Sequence, residues 1–268
     1  MKLEQVVRED VMTLLQTKSL SMVFGGLVAV NQVDFEINTR ENVGIIGPNG
    51  SGKTTFFNLL TGIYEPSSGE ILFEGKRING ARPDFNYKLG IARTFQNGRL
   101  FWGLNVLENV MVGLHGKQKS FIWDAIIRSR RERMEEEQAV AEARRIIGFF
   151  SQPLLEQQDK LAGSLSYADR RRLEICRALI SRPKLLILDE PSAGMDPNET
   201  QELVNDIHKI REIQPDISVI VIEHDMGLIK GLADKVVCFS SGVKIAEGSF
   251  DEVSSDEEVV RAYLGEED

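Results

Sequence analysis

Gly47-Pro48-Asn49-Gly50-Ser51-Gly52-Lys53-Thr54 is the stretch that decides the fold. It fits the pattern G-x-x-x-x-G-K-[ST]. The apolar run at 43–46 precedes it, and a helix is expected from about residue 52 to 60. Strand, glycine-rich loop and helix in that order make a phosphate cradle. Glycines let backbone N–H groups close around phosphate oxygens with no Cβ in the way. The helix N-terminus adds the positive end of its dipole. Lys53 supplies a point charge to the β- and γ-phosphates, and Thr54 offers a hydroxyl to Mg2+. Asn49, Gly50, Ser51, Gly52, Lys53, Thr54 and Thr55 are therefore the candidate nucleotide-binding residues.

A second signal lies downstream. The apolar run at 185–188 leads straight into Asp189 and Glu190. A carboxylate at the C-terminal end of a parallel strand stands at the sheet edge where ligands bind. Asp189 is suited to holding Mg2+ through water. Glu190 is placed to orient or deprotonate an attacking water.

The rest of the chain supports an α/β core. Residues 14–20, 29–37 and 41–46 are strand-like, and 70–73 follow a Pro-Ser-Ser-Gly turn. Residues 122–150 read as helix, with apolar spacing at Ile126, Ile127, Met134, Val140, Ile146 and Ile147. Within them, the charged run at 128–137 reads as a solvated face. Another helix is expected from about 166 to 180, stopped by Pro183. The helical stretch 199–212 lies between the strand runs 185–188 and 219–222, a βαβ unit that implies a parallel sheet.

Composition narrows the function. The 268 residues are 42% hydrophobic and 27% charged, an ordinary soluble balance that excludes a disordered or collagenous chain. Asp and Glu total 41 against 32 Lys and Arg, a formal charge of -9. An acidic chain lacks the broad basic surface that nucleic acid demands, so no nucleic-acid partner is expected. Cys176 and Cys238 lack metal-ligand spacing and read as free thiols in a reducing compartment. The polar opening, residues 1–10, carries no signal-peptide pattern, and the apolar runs are too short to span a bilayer. Membrane contact is expected only through partners.

Further motifs follow in a fixed order: Gln96, Leu165-Ser166-Tyr167-Ala168-Asp169, Ser192-Ala193-Gly194-Met195-Asp196 and His224. With the phosphate loop and the acidic strand end, the chain resembles an ATP-binding-cassette (ABC) ATPase over nearly its whole length. It is most similar to the ATP-binding subunit of branched-chain amino acid importers. The softer cues are Phe24-Gly25-Gly26-Leu27, Thr94-Phe95-Gln96 with Leu104-Asn105-Val106-Leu107-Glu108-Asn109-Val110, Ile222-Glu223-His224-Asp225-Met226, and Ala262-Tyr263-Leu264-Gly265-Glu266.

The resemblance implies a P-loop NTPase fold over 1–268. A parallel-sheet core and an antiparallel β subdomain would occupy 1–96 and 182–268. A helical insertion at 97–181 would carry the signature motif. The cofactors implied are ATP and Mg2+. Phe24 would stack on adenine. Gln96 would reach Mg2+ and the attacking water, with Thr54 and Asp189 completing the metal site. His224 would contact the γ-phosphate, and Ser166 would act in trans on nucleotide held by a second ATPase subunit. Asp196 would lie between the two subunits. Leu100-Phe101-Trp102 is a candidate contact for transmembrane permease subunits, which would place the chain in the cytoplasm at the inner face of the cell membrane. Alternatives are an ATPase of urea, amide or lipid transport, or a soluble cassette ATPase. A P-loop kinase would not need Gln96, the Ser166 loop and His224 together.

One motif departs from the family pattern. The signature usually reads Leu-Ser-Gly-Gly-Gln, and here Ala168 and Asp169 replace its last two residues. A positive φ at Ala168 would cost about 1–2 kcal/mol. Asp169 stands three residues after Ser166, as in a capping box, and would bring negative charge towards phosphate unless Arg170 and Arg171 offset it. Either the signature is weakened within a heterodimer, or the variant is tolerated in an active dimer.

Overall fold

The computed structural model describes residues 12–94, 100–114 and 130–264. The first described elements form a long hairpin, β1 (Thr13–Phe24) and β2 (Leu27–Asn38), turned at Gly25-Gly26. β1 extends past the expected strand at 14–20. β3 (Asn42–Ile46) runs into the glycine-rich loop and α1 (Lys53–Leu60). Then come β4 (Ser68–Phe73), β5 (Lys76–Arg77), α2 (Pro83–Leu89) and β6 (Ile91–Arg93). Among the described residues, the α-helices before the next strand are α3 (Val106–Val112), α4 (Arg130–Phe150), α5 (Gln152–Glu156) and α6 (Tyr167–Leu179). The last part holds β7 (Leu185–Asp189), α7 (Pro197–Ile213), β8 (Ser218–Ile222), α8 (Met226–Leu232), β9 (Lys235–Ser240), β10 (Val243–Gly248), α9 (Phe250–Ser255) and α10 (Glu257–Leu264).

The strands form two sheets. One is antiparallel, in the order β2-β1-β4-β5. The other has the order β10-β9-β3-β8-β7-β6 and is parallel except for β10. Its central strands are buried on both faces, as their unbroken apolar runs require. Side chains alternate between two cores. Leu185, Ile187, Ile220 and Ile222 face the hairpin and α1, whereas Leu186, Leu188, Val219 and Val221 face the helices.

The helical face corrects one reading. In α4 the buried stripe is Ala139, Ala143, Ile146, Ile147 and Phe150, spaced by three and four. Met134 stands before that stripe begins and is 59% exposed, so it is not core. Ile126 and Ile127 lie outside the described residues. Asn109 is fully buried in α3; its amide donates to Phe101 O, Leu104 O and Asn105 O, and its Oδ1 accepts from Phe101 N–H. That one side chain fixes the loop carrying Phe101 and Trp102. Cys176 and Cys238 are both buried free thiols, and burial pushes both above the ordinary thiol range, Cys238 to about 11.

Candidate nucleotide site

Three neighbouring parallel strands, β3, β8 and β7, end at the same sheet edge. They deliver the phosphate loop, His224 and Glu190 to one cavity of 630 Å³. Phe24, Asn49, Gly50, Ser51, Gly52, Lys53, Thr54 and Thr55 line it together with Glu190 and His224. Leu27, Val28, Ala29, Ser241 and Gly242 also line it, and sequence reasoning missed them. The Ser240-Ser241-Gly242 turn was a visible signal for a loop but not for its place.

The cradle itself is built by close backbone approach. Gly47 has φ +143°, and an added Cβ would overlap Phe239 O. Gly52 has φ +98°, and a Cβ there would overlap Ala29 O. Only glycine fits either place. Gly52 caps α1 without any side-chain hydrogen bond, so no side chain occupies the helix tip that would face phosphate. Lys53 Nζ donates to Gly47 O at 2.6 Å, Pro48 O at 2.8 Å and Ser51 Oγ at 3.4 Å. Its charge is therefore held inside the loop it is meant to serve. Phe24 is partly exposed at the other end of the cavity, braced edge-on by Tyr64 at 5.3 Å.

Glu190 occupies a left-handed backbone conformation, φ +45°. Such strain costs about 1–2 kcal/mol and persists only where surroundings enforce it. Here Glu190 N–H donates to Ile222 O, and Glu190 O accepts from Ala193 N–H and Arg171 Nη2. The carboxylate points to the cavity, with Oε1 3.3 Å from His224 Nε2. Glu223 braces the same edge from below. Its Oε1 accepts from Ser192 N–H at 2.6 Å and its Oε2 from His224 N–H at 3.1 Å. Burial pushes the Glu223 carboxyl above the usual carboxylate range, while those N–H bonds favour its charged form.

Two expected residues, Asp189 and Ser166, stand apart from the cavity lining. Asp189 does not line the cavity; it is buried, and its Oδ2 accepts from Arg93 Nη2 at 2.7 Å. Gln96 lies outside the described residues. Ser166 caps α6, away from the cavity lining. Asp196 caps α7 in a complete capping box with Glu199. His208 is exposed, with Nε2 against Gly231 O.

The signature loop resolves the direction of Asp169. Ser166 Oγ accepts from Asp169 N–H at 3.2 Å and donates to Asp169 Oδ2 at 2.9 Å. Asp169 thus turns back onto the serine hydroxyl, not onto the Ser166 backbone as a full capping box would. The expected offset by Arg170 and Arg171 is corrected: Arg170 reaches Gly163 O and stacks on Trp102, and Arg171 is buried against Glu174 and Tyr167. Arg172 comes within 3.8 Å of Asp169 but is held at 3.0 Å by Asp206 and 2.6 Å by Glu202. Ala168 lies in the first turn of α6 and has no positive φ, so its conditional strain does not arise.

A family model described as ABC transporter matches residues 30–193. The chain belongs to this family. A second model, branched-chain amino acid ATP-binding cassette transporter, matches residues 243–268 of the cassette. The cassette is 39% identical over 253 residues to the high-affinity branched-chain amino acid transport ATP-binding protein LivG of Escherichia coli K12, covering 94% of this chain and 98% of LivG. It is 38% identical to BraF of Pseudomonas aeruginosa, with the same name of function and the same coverage. Among solved structures, it resembles a nucleotide-free ATP-binding cassette from an ABC transporter at 32% identity and TM-score 0.80, covering 94% and 99% of the two chains. A cassette in its ADP conformation matches equally, at 32% identity and TM-score 0.80, covering 95% and 99%. The cassette is an ABC-type ATPase that binds nucleotide, and its fold is that of a P-loop NTPase.

Proposed function

We propose that this cassette is the ATP-hydrolysing subunit of an importer for branched-chain or other amino acids, acting on transmembrane permease subunits at the inner face of the cell membrane. The observation that carries this reading is likeness to LivG along almost the full length of both chains. No helix among the described residues is long and apolar enough to cross a membrane, so the reading requires permease partners. A groove bordered by Ile63, Tyr87, Phe101 and Arg177 suits such a partner. Phe101 borders it and, like Trp102 beside it in the chain, is half exposed on the loop that Asn109 fixes.

Adenine would rest against Phe24, with the phosphates in the cradle. Lys53 would exchange loop carbonyls for β- and γ-phosphate oxygens. Thr54, Asp189 and Gln96 would hold Mg2+, which would neutralise charge between the β- and γ-phosphates. Thr54 lines the cavity and its hydroxyl suits Mg2+, which takes few protein oxygens beside phosphates, whereas Asp189, held by Arg93 off the lining, would act through water. Among the described residues no cluster of three or more His, Cys, Asp or Glu side chains forms such a cage. Glu190 would take the proton of the attacking water, and His224, beside it, would contact the γ-phosphate. A second ATPase subunit would complete each site with its signature serine, so binding would close a head-to-tail dimer and hydrolysis reopen it.

Solubilising membranes from the source cell and pulling on this chain should recover apolar permease subunits and a second cassette. Recovery of the chain alone, from soluble extract only, contradicts the transport reading and favours a soluble cassette ATPase.

The turned-back Asp169 should weaken that dimer if the signature is impaired rather than tolerated. Asp169 places a carboxylate at a helix tip meant for phosphate. Charges at helix ends are worth about 0.3–1 kcal/mol, so Ala168→Gly with Asp169→Gln should raise ATPase activity of the assembled complex about two- to fivefold. Unchanged activity identifies a tolerated variant instead.

A further inference from the structure

The C-terminal helix reaches the nucleotide cradle. Gly47 N–H donates to Tyr263 Oη at 2.7 Å, joining residues 216 positions apart. Gly47 is the first residue of the phosphate loop and is buried. Its other face is closed by Phe239 O, where no Cβ fits. Its carbonyl accepts from Lys53 Nζ. The residue is therefore held on three sides, by Phe239 O of β9, by Lys53 at its carbonyl and by Tyr263 at its N–H.

Tyr263 is itself well anchored. Asp256 Oδ1 accepts from Glu258 N–H and Val259 N–H at the start of α10, and Val259 is buried. The Tyr263 ring packs on the helical core, so the ring supplies packing and the hydroxyl supplies the bond to the loop. The segment that carries it lies in the stretch matched by the branched-chain model, residues 243–268, beyond the match of the general ABC model.

We infer that Tyr263 is a positioning residue for the nucleotide site: its hydroxyl fixes the first peptide of the phosphate loop, so the C-terminal helix sets how tightly nucleotide is held. The physical basis is pre-organisation. A loop already held in one conformation loses less freedom when it binds. A buried N–H deprived of its acceptor also drives the loop to rearrange. The inference concerns nucleotide binding by the cassette alone and stands apart from what it transports.

Tyr263→Phe removes one oxygen and keeps the ring. In the full chain, ATP and ADP should bind about threefold to tenfold more weakly, the share of one neutral hydrogen bond. Amide exchange at Gly47 in the nucleotide-free chain should quicken by a similar factor. The unfolding midpoint of that chain should move by no more than about 4 °C. Leu264→Ala, at the exposed neighbour, should change none of these. Nucleotide affinity equal to wild type overturns the inference even if the midpoint falls, because that pattern marks a purely structural tyrosine. Equal weakening by Leu264→Ala also overturns it, because the effect then belongs to the helix and not to the hydroxyl. A wild-type chain that leaves ATP unbound sinks the nucleotide reading together with this one.

Discussion

Glu190→Gln should keep ATP bound and lower hydrolysis by about 10²–10⁴, the usual share of a positioned general base. Gln matches Glu in length and volume, and it keeps a carbonyl oxygen that accepts hydrogen bonds. It loses the capacity to take a proton. The backbone of residue 190 is held by Ile222 O, Ala193 N–H and Arg171, none of which involves the side chain. The fold at the strand end therefore survives the change. The proposed nucleotide cradle, whose cavity lining runs from Asn49 to Thr55, is left alone by the substitution. With turnover arrested, the ATP-held dimer should accumulate. Phosphate release, equilibrium ATP binding and size-exclusion with ATP and Mg2+ check the three parts separately. Undiminished phosphate release removes Glu190 from its proposed role.

The second large effect is on stability. Arg93 and Asp189 form an ion pair at 2.7 Å with side chains only 5% and 4% exposed. Arg93 also donates to Asn58 Oδ1 at 2.7 Å and lies over the Phe57 ring. It thereby ties β6 to α1 and to the last residue of β7. Removing one member of a buried pair strands the other charge without water, at a cost of about 3–5 kcal/mol. Arg93→Ala should lower the unfolding midpoint by roughly 6–20 °C, taking about 2–4 °C per kcal/mol for a chain of this size. Arg93→Ala together with Asp189→Asn should recover part of that loss, because no carboxylate is then left alone. A midpoint within a degree or two of wild type for Arg93→Ala means the pair carries no weight.

What the sequence reveals and what it hides divide along the range of the interactions. The phosphate loop and the acidic end of β7 are legible because each depends on a few adjacent residues with a fixed backbone geometry, whereas His224 after β8 is singled out only by the family resemblance. The parallel sheet is legible because strands buried on both faces need unbroken apolar runs. The helix boundaries at Lys53–Leu60 and Tyr167–Leu179 fall within a residue of expectation, because glycine, serine and proline mark them locally. The Arg93–Asp189 pair joins residues 96 apart, and nothing near Arg93 distinguishes it from a surface arginine. The Tyr263 bond to Gly47 is hidden for the same reason. Asp169 is a different case. Its spacing from Ser166 was plain, but whether the carboxylate meets the serine backbone or its hydroxyl depends on a rotamer that spacing does not choose.

The left-handed conformation of Glu190 has an evolutionary consequence. Glycine and asparagine tolerate that backbone at less expense than glutamate, so Glu190→Gly or Glu190→Asn should relieve a local tension while deleting the proposed proton acceptor. Laboratory selection for heat resistance alone would push residue 190 in that direction and harvest sturdier, inert proteins. The glutamate stays only while growth depends on the work it does.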